Sequence, residues 1–241
     1  MSSKYSICIT HYNNLPTVAE SLQRILSSVG PDYEIVVVDN FSTDGSEEIL
    51  ETYARNGRIT LFKEKCSRGR GRQIAFARSS GAYTISGIDM DDFISPKLRD
   101  LVSLYHEVAE GMLVGAPVTM GPRALIEELG GWNDVNWYED WDIWRRAART
   151  NKFATLNFDL FDSRSRLNRP DDVLTRVRAS YRRSVSGYRV NKEPSDTGGK
   201  YGRLMIRGLA WCRSRFGQRF GEGMDPSFNP KDPMYLREWS N

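Results

Sequence analysis

Residues 34–46 read EIVVVDNFSTDGS, an unbroken apolar run that ends at Asp39 and leads into a polar turn. Unbroken apolar strands are typical of parallel sheets that helices cover on both faces. The turn offers Ser, Thr and Asp side chains suited to helix capping, and the pattern after it predicts a helix over 46–55. This stretch therefore predicts one strand, turn and helix of a doubly wound α/β fold.

The same pattern recurs on both sides of this stretch. A β-branched run at 5–10 precedes a helical pattern at 15–29, and apolar runs at 58–63 and 82–88 flank a predicted helix over 69–80. Alternating strands and helices predict a Rossmann-like, mostly parallel sheet flanked by helices. Ligands bind such sheets outside the carboxyl ends of the strands, so we expect the functional residues there.

Four further elements are predicted: a helix over 97–110, one strand over 112–120 with a Gly-Ala-Pro kink, a short helix over 122–129 and a helix over 141–150. Beyond residue 160 the alternation gives way to basic amphipathic patterns. We therefore expect an α/β domain over 1–160 and a basic helical extension over 161–241.

The composition favours a folded protein and argues against several kinds of site. Hydrophobic residues make up 39% of the 241 residues and charged residues 27%, which is typical of globular chains. Three widely spaced cysteines and two histidines give little support to a zinc site or a Ser-His-Asp triad. No apolar run has transmembrane length and no signal-peptide pattern is present, so a cytoplasmic location is expected.

Positive charge is concentrated in residues 171–220. This segment holds twelve Lys or Arg and four Asp or Glu, a net charge of +8, whereas the whole chain carries +3. Two basic amphipathic helices, over 171–186 and 201–220, are predicted there. They would either pack on the α/β domain or dock on the inner membrane face as a peripheral contact. Nucleic acid is not expected as a partner, because no nucleic-acid-binding module surrounds the segment.

Polar clusters follow three of the predicted strands, at residues 10–13, 39–40 and 89–92. We expect them to converge, because the strands of a parallel sheet end at the same edge. Asp89 and Asp91 are spaced so that both carboxylates can face one cavity. Mg²⁺ and Mn²⁺ are held by such carboxylates together with substrate phosphates. The alternative is a solvated acidic turn in which Asp92 caps the following helix.

The first two clusters and a basic segment each allow a functional and a structural interpretation. Asp39 would contact a ribose or base, or would cap its own turn. The 10–13 loop would present backbone amides and an aromatic ring to a base, or would be a plain polar turn. The segment 68–72 reads RGRGR, in which glycines let the backbone approach an anion and Arg68, Arg70 and Arg72 pair with phosphate. It matches neither the Walker A loop nor GxGxxG.

Five ordered motifs together resemble family 2 glycosyltransferases of the GT-A fold, over roughly residues 4–150. The motifs are Thr10-His11-Tyr12-Asn13, the stretch Val37 to Ser46, Gly69 to Gln73 with Gly81-Ala82-Tyr83, Asp89-Met90-Asp91-Asp92, and Gly130-Gly131-Trp132-Asn133 with Glu139-Asp140. Any one of them is weak evidence, but their order and separations are specific.

The resemblance implies roles for eight residues in three groups. The groups are nucleoside and donor binding by Thr10, Tyr12, Asp39, Arg72 and Asp89, metal binding by Asp91 and Asp89, and base catalysis by Asp140 with Glu139 as its neighbour and fallback. The implied cofactor is Mn²⁺ or Mg²⁺. Aromatic residues at 137, 138, 141 and 144 surround Asp140 in the sequence, and desolvation there would raise a carboxyl pKa.

The resemblance implies inverting transfer of a sugar from a UDP- or GDP-linked donor to a glycan, protein or lipid-phosphate acceptor. Two departures from the family pattern concern the acceptor side: the interval 92–130 is short, and no histidine follows residue 106. The Q-x-x-R-W segment of processive synthases is absent, which favours single additions. Two rival functions remain, a nucleotidyltransferase that releases pyrophosphate and a non-catalytic nucleotide-sugar-binding scaffold.

Overall fold

A computed structural model describes residues 4–115, 117–136, 138–156 and 158–162 of the chain. By its contacts the chain divides into two compact units. The first holds Met1–Val135 and Glu139–Arg169, and the second holds Asn136–Tyr138 and Pro170–Asn241. Everything below concerns the first unit. The predicted helices over 171–186 and 201–220 lie outside the described residues, and the domain boundary at 160 stays a prediction.

The described residues form seven strands and six helices. In chain order these are β1 (Tyr5–His11), α1 (Leu15–Ser28), β2 (Tyr33–Asp39), α2 (Ser46–Arg55), β3 (Thr60–Lys63), α3 (Arg68–Arg78), β4 (Tyr83–Ser86), α4 (Leu98–Val108), β5 (Leu113–Gly115), β6 (Thr119–Pro122), α5 (Arg123–Glu128), α6 (Glu139–Arg149) and β7 (Phe153–Thr155).

All seven strands join one sheet in the order β3-β2-β1-β4-β6-β5-β7. The pairs β2–β3, β1–β2 and β1–β4 are parallel, whereas β6 runs antiparallel to both β4 and β5. Strand β7 then pairs parallel to β5. The predicted α/β class and mostly parallel sheet are confirmed. The reversed direction of β6 brings its first residue, Thr119, to the edge where the parallel strands end, opposite Ser86.

The register of β1 and β2 sets the position of the polar loops. Their paired residues run from Tyr5 opposite Tyr33 to His11 opposite Asp39, so both strands end at the same level. Central residues of both strands are fully buried, which fits strands covered on two faces. Helix α1 covers one face through Val18, Leu22 and Ile25, which recur at helical spacing and are buried.

The region 112–120 differs from its predicted single strand. It forms β5 and β6, which are antiparallel to each other, with Val114 opposite Met120. Pro117 lies between them and has no backbone N–H to continue a strand ladder. Strand β7 was not predicted, because its three residues are too few to show a period. Within the described residues, no helix is both long and apolar enough to cross a membrane.

Candidate active site

The loops after β1 and β2 are joined by hydrogen bonds at the carboxyl edge of the sheet. The Asn40 backbone N–H donates to the His11 carbonyl at 2.9 Å. The Asn13 N–H donates to Ser42 Oγ at 3.0 Å, and the Thr43 N–H donates to Asn13 Oδ1 at 2.8 Å. The first two predicted clusters therefore do converge, and three bonds hold their loops in one arrangement.

Asp39 lies beneath these loops with its side chain wholly buried. Its Oδ1 accepts the Ser42 hydroxyl at 2.6 Å and its Oδ2 accepts the Ser42 backbone N–H at 3.0 Å. We call residues 39–42 the Asp39 turn. Of the two interpretations of Asp39, the one in which it caps its own turn matches these bonds, since both carboxylate oxygens bind Ser42.

The two glycines of the basic segment face protein groups. A Cβ atom at Gly71 would lie 2.4 Å from Thr10 Cγ2, and one at Gly69 would lie 2.1 Å from the Asn133 carbonyl oxygen. Thr10 Oγ1 in turn donates to the Arg68 carbonyl at 3.1 Å. In this structure the glycines allow α3 to pack closely on β1 and on the 133–135 loop, so the expected approach to an anion is not what requires them.

Arg72 is buried, with 3% of its surface exposed, and binds three carboxylates. Its guanidinium contacts Glu139 Oε1 at 2.7 Å, Asp89 Oδ1 at 3.5 Å and Asp140 Oδ2 in a close ion pair. We call these four residues the arginine cluster. Burial acts to lower the pKa of Arg72, but the carboxylates of Asp140, Glu139 and Asp89 outweigh it and raise that pKa. Arg72 therefore remains a cation.

The acidic turn after β4 consists of Asp89, Asp91 and Asp92. One carboxylate oxygen from each lies within 4.8 Å of the other two. Carboxylate oxygens are the ligands that hard divalent cations prefer, so this group could hold one such ion. Asp92 Oδ2 also accepts the Asp89 N–H at 3.0 Å, and burial raises the pKa of Asp92 to about 7.

The acidic turn is connected to the end of β1 through α3. Arg68 Nη1 lies 3.6 Å from Asp89 Oδ2, and the Arg68 carbonyl accepts the Thr10 hydroxyl. Arg68 therefore links the third predicted cluster to the first. Carboxylate attraction from Asp89 raises the pKa of Arg68, which keeps a second cation beside the acidic turn.

Asp140 is held by three donors. Its Oδ1 accepts Trp132 Nε1 at 3.0 Å and Thr119 Oγ1 at 3.1 Å, while its Oδ2 accepts Arg72 Nη1. Trp144 Nε1 donates to Thr119 Oγ1 at 2.8 Å and so orients that hydroxyl. These contacts fix the plane of the Asp140 carboxylate.

Glu139 precedes Asp140 on α6 but lies in a different environment. Its side chain is buried and contacts Arg72, with Arg68 Nε at 3.9 Å. Burial raises the pKa of Glu139 to about 7, against the attraction of Arg72. The desolvation predicted for the first turn of α6 therefore acts on Glu139.

Thr119 and the indole of Trp132 were missed as site residues. Trp132 stood in a recognised motif, but the aromatic residues proposed to surround Asp140 were its sequence neighbours at 137, 138, 141 and 144. Of these, Trp144 reaches Asp140 through Thr119, and residue 137 lies outside the described residues. Thr119 lies beside Asp140 because β6 pairs with β4, and no local pattern in the sequence indicates this pairing.

Comparison with known proteins points to one family. Residues 6–163 match the family described as glycosyl transferase family 2. The putative glycosyltransferase EpsE of Bacillus subtilis (strain 168) is 32% identical over 122 residues, which cover 46% of this chain and 44% of that protein. Poly(ribitol-phosphate) beta-N-acetylglucosaminyltransferase TarS of Staphylococcus aureus (strain Mu50) is 26% identical over 110 residues, 43% of this chain and 19% of TarS. The matched segments thus span less than half the length of these relatives.

Two solved structures share the fold at 16% identity. The S. aureus TarS 1–349 complex with UDP-GlcNAc has a TM-score of 0.59, covering 88% of this chain and 72% of that one. The mannosyltransferase PcManGT from Pyrobaculum calidifontis, in complex with GDP-Man and Mn²⁺, has a TM-score of 0.62, covering 89% and 74%. The likeness confirms the predicted GT-A architecture.

Proposed function

The chain belongs to glycosyltransferase family 2, and from this premise we propose that it transfers a sugar, with inversion, from a UDP- or GDP-linked donor to a glycan, protein or lipid-phosphate acceptor. The observation that carries the proposal is the arginine cluster. Through Arg72 it joins Asp89 of the acidic turn to Asp140 at the start of α6. A diphosphate-binding group and a base are thereby held at one edge of the sheet.

Asp140 serves as the base in this proposal. An inverting transfer needs a carboxylate that takes the proton of the acceptor hydroxyl as it attacks the anomeric carbon. An ionised carboxylate has about four lone-pair sites, and three donors occupy three of them. Two of the donors bind Oδ1 and one binds Oδ2, so the fourth lone-pair site is on Oδ2. The acceptor hydroxyl would bind there.

Asp91 and Asp89 would hold a divalent ion that binds the donor diphosphate, with Asp91 as the more direct ligand. The convergence of the three carboxylates of the acidic turn supports this assignment. A bound Mn²⁺ or Mg²⁺ supplies positive charge to the leaving diphosphate. Arg68, 3.6 Å from Asp89, adds a fixed cation at the same place.

The proposed donor class is supported by the solved neighbours. One is bound to UDP-GlcNAc and the other to GDP-Man with Mn²⁺. Thr10, near the end of β1, and Tyr12, directly after the strand, are proposed to contact the nucleoside, whereas the Asp39 carboxylate would act by shaping the loop. Peripheral membrane contact through 171–220 would suit a lipid-linked acceptor and stays a prediction.

Two variants test the metal and base roles separately. In a thermal-shift panel of nucleotide diphosphates and sugar nucleotides with Mn²⁺, a bound donor should raise the apparent melting temperature. Asp91→Ala should abolish this Mn²⁺-dependent shift, because it removes a hard oxygen ligand. Asp140→Asn should keep the shift but lower turnover by about 100-fold or more, the usual contribution of a general base.

Asp100→Asn, at an exposed carboxylate on α4, is the matched control and should leave both readouts unchanged. Full activity of Asp91→Ala in excess Mn²⁺ would refute the metal assignment. Full turnover of Asp140→Asn would remove Asp140 as the base and point to an acceptor that is already ionised. Donor binding without turnover on any acceptor class would favour a binding scaffold.

A further inference from the structure

Exposed apolar side chains gather at the loops after β1 and β2. In the described part of the chain the large hydrophobic residues that stay exposed are Tyr12, Leu15, Phe41 and Val108; Tyr12 and Phe41 lie on these loops, and Leu15 begins α1. Tyr12 is 54% exposed and Phe41 is 50% exposed. Two aromatic rings exposed on neighbouring loops are available to a ligand that binds at this edge of the sheet.

Phe41 also holds an unfavourable backbone conformation. Its φ angle is +54°, in the left-handed region that glycine and asparagine adopt far more readily than an aromatic residue. The side chain gains no burial in return, since half of its surface remains exposed. Strain without a packing benefit points to a role in binding.

The loops fix the two aromatic residues relative to each other. Tyr12 directly follows His11, which pairs with Asp39, and Phe41 lies two residues beyond Asp39. The bond from the Asn40 N–H to the His11 carbonyl and the two bonds of Asn13 tie the loops together on both sides. The backbone that carries both rings is therefore held in place before a planar ligand binds, which lowers the entropic cost of binding it.

We propose that Phe41, together with Tyr12, forms the stacking surface for the base of the donor nucleotide. This inference rests on the proposed function and deepens it, since Phe41 is a position to which the motif resemblance gives no role. Both oxygens of the buried Asp39 carboxylate accept hydrogen bonds from Ser42, and Tyr12 and Phe41 are the exposed aromatic side chains of the two loops. Stacking tolerates any base, so uridine and guanosine donors both fit.

The test separates base stacking from diphosphate binding. The full chain is titrated calorimetrically with UDP, GDP and inorganic pyrophosphate in the presence of Mn²⁺. Phe41→Gly and Phe41→Asn remove the ring and adopt the left-handed conformation easily, so both should fold at least as stably as the wild type. UDP and GDP should bind about five- to fiftyfold more weakly, the usual loss for one stacked aromatic ring, while pyrophosphate affinity should not change.

Val108→Asn is the matched control, because Val108 is equally exposed but lies on α4; it should alter no affinity. If wild-type protein binds the nucleotides and the Phe41 variants bind them equally well, the stacking role falls while the proposed function stands. An equal loss of pyrophosphate and nucleotide affinity would also overturn it, by assigning Phe41 to loop structure. If wild-type protein binds no nucleotide at all, the proposed function falls and this inference with it.

Discussion

The arginine cluster and the Asp39 turn both bury carboxylates at the same edge of the sheet, but they compensate the charge differently. In the arginine cluster, three carboxylates share one buried guanidinium, with Arg68 nearby. In the Asp39 turn, one carboxylate accepts two uncharged donors from Ser42. The first arrangement depends on a balance of charges, whereas the second depends on local hydrogen bonds.

This difference separates two tasks within the site. A charge cluster responds to any new charge brought by substrate or cation, so its members are suited to take part in chemistry. A carboxylate satisfied by its own turn is insensitive to such charges and is suited to hold loops in place. The contrast predicts that substitutions in the two regions will change the free energy of unfolding by different amounts and with different pH dependence.

The largest effect is expected for Arg72→Met. Removing one partner of a buried ion pair leaves uncompensated charge and typically costs about 3–5 kcal/mol. Here three carboxylates lose their shared cation, so the free energy of unfolding from urea denaturation should fall by about that amount, and turnover should be lost. Arg78→Met, at an exposed position of the same helix where the guanidinium lies over the Phe62 ring, should cost at most about 1 kcal/mol. If both variants lower the free energy of unfolding by a similar amount, the cluster does not depend on the balance between Arg72 and its three carboxylates.

The next effect is a pH dependence carried by Glu139. Because the pKa of Glu139 is raised to about 7 in the folded protein, folding favours its protonated form. That contribution is complete below the unfolded pKa of about 4.5 and is lost as the pH rises through about 7. Wild-type stability should therefore fall relative to Glu139→Gln across this window, by up to about 3 kcal/mol. A constant difference between the two proteins from pH 4.5 to 8 would contradict the raised pKa.

The smallest effect is expected in the Asp39 turn. Ser42→Ala removes the hydroxyl that donates to Asp39 and accepts the Asn13 N–H, but the backbone donor to Asp39 remains. The cost should be about 1–2 kcal/mol, because the buried Asp39 Oδ1 loses its donor while the half-buried Asn13 can bind water instead. Ser27→Ala, at an exposed position of α1, is the control and should be nearly neutral. A loss as large as that of Arg72→Met would erase the distinction between the two regions.

The sequence predicted the parallel half of the fold closely because each element there has a local cause. Helix α2 begins and ends where predicted, at Ser46 and Arg55, since a polar turn precedes it and a helical pattern fills it. The antiparallel half was predicted less well. Residues 112–120 reverse direction between β5 and β6, and the partner that selects this arrangement is β4, about 30 residues earlier in the chain.

The candidate site was predicted as a set of residues but not as a set of contacts. The motif resemblance named Arg72, Asp89, Glu139 and Asp140, yet their mutual ion pairs join α3 to α6 across 68 residues of sequence. The two interpretations of Asp39 could not be separated either, because a carboxylate that caps a turn and one that binds a ribose can occupy the same position after a strand. The residues' roles in the reaction stay proposals.

The close contact between Gly71 and Thr10 couples two positions that lie far apart in the sequence. A methyl group at position 71 would overlap the threonine side chain, so a larger residue there is tolerable only if position 10 becomes smaller. Among descendants of one ancestral sequence, the two positions should change together or not at all. The residues at positions 10 and 71 together set how closely the first strand and the third helix pack.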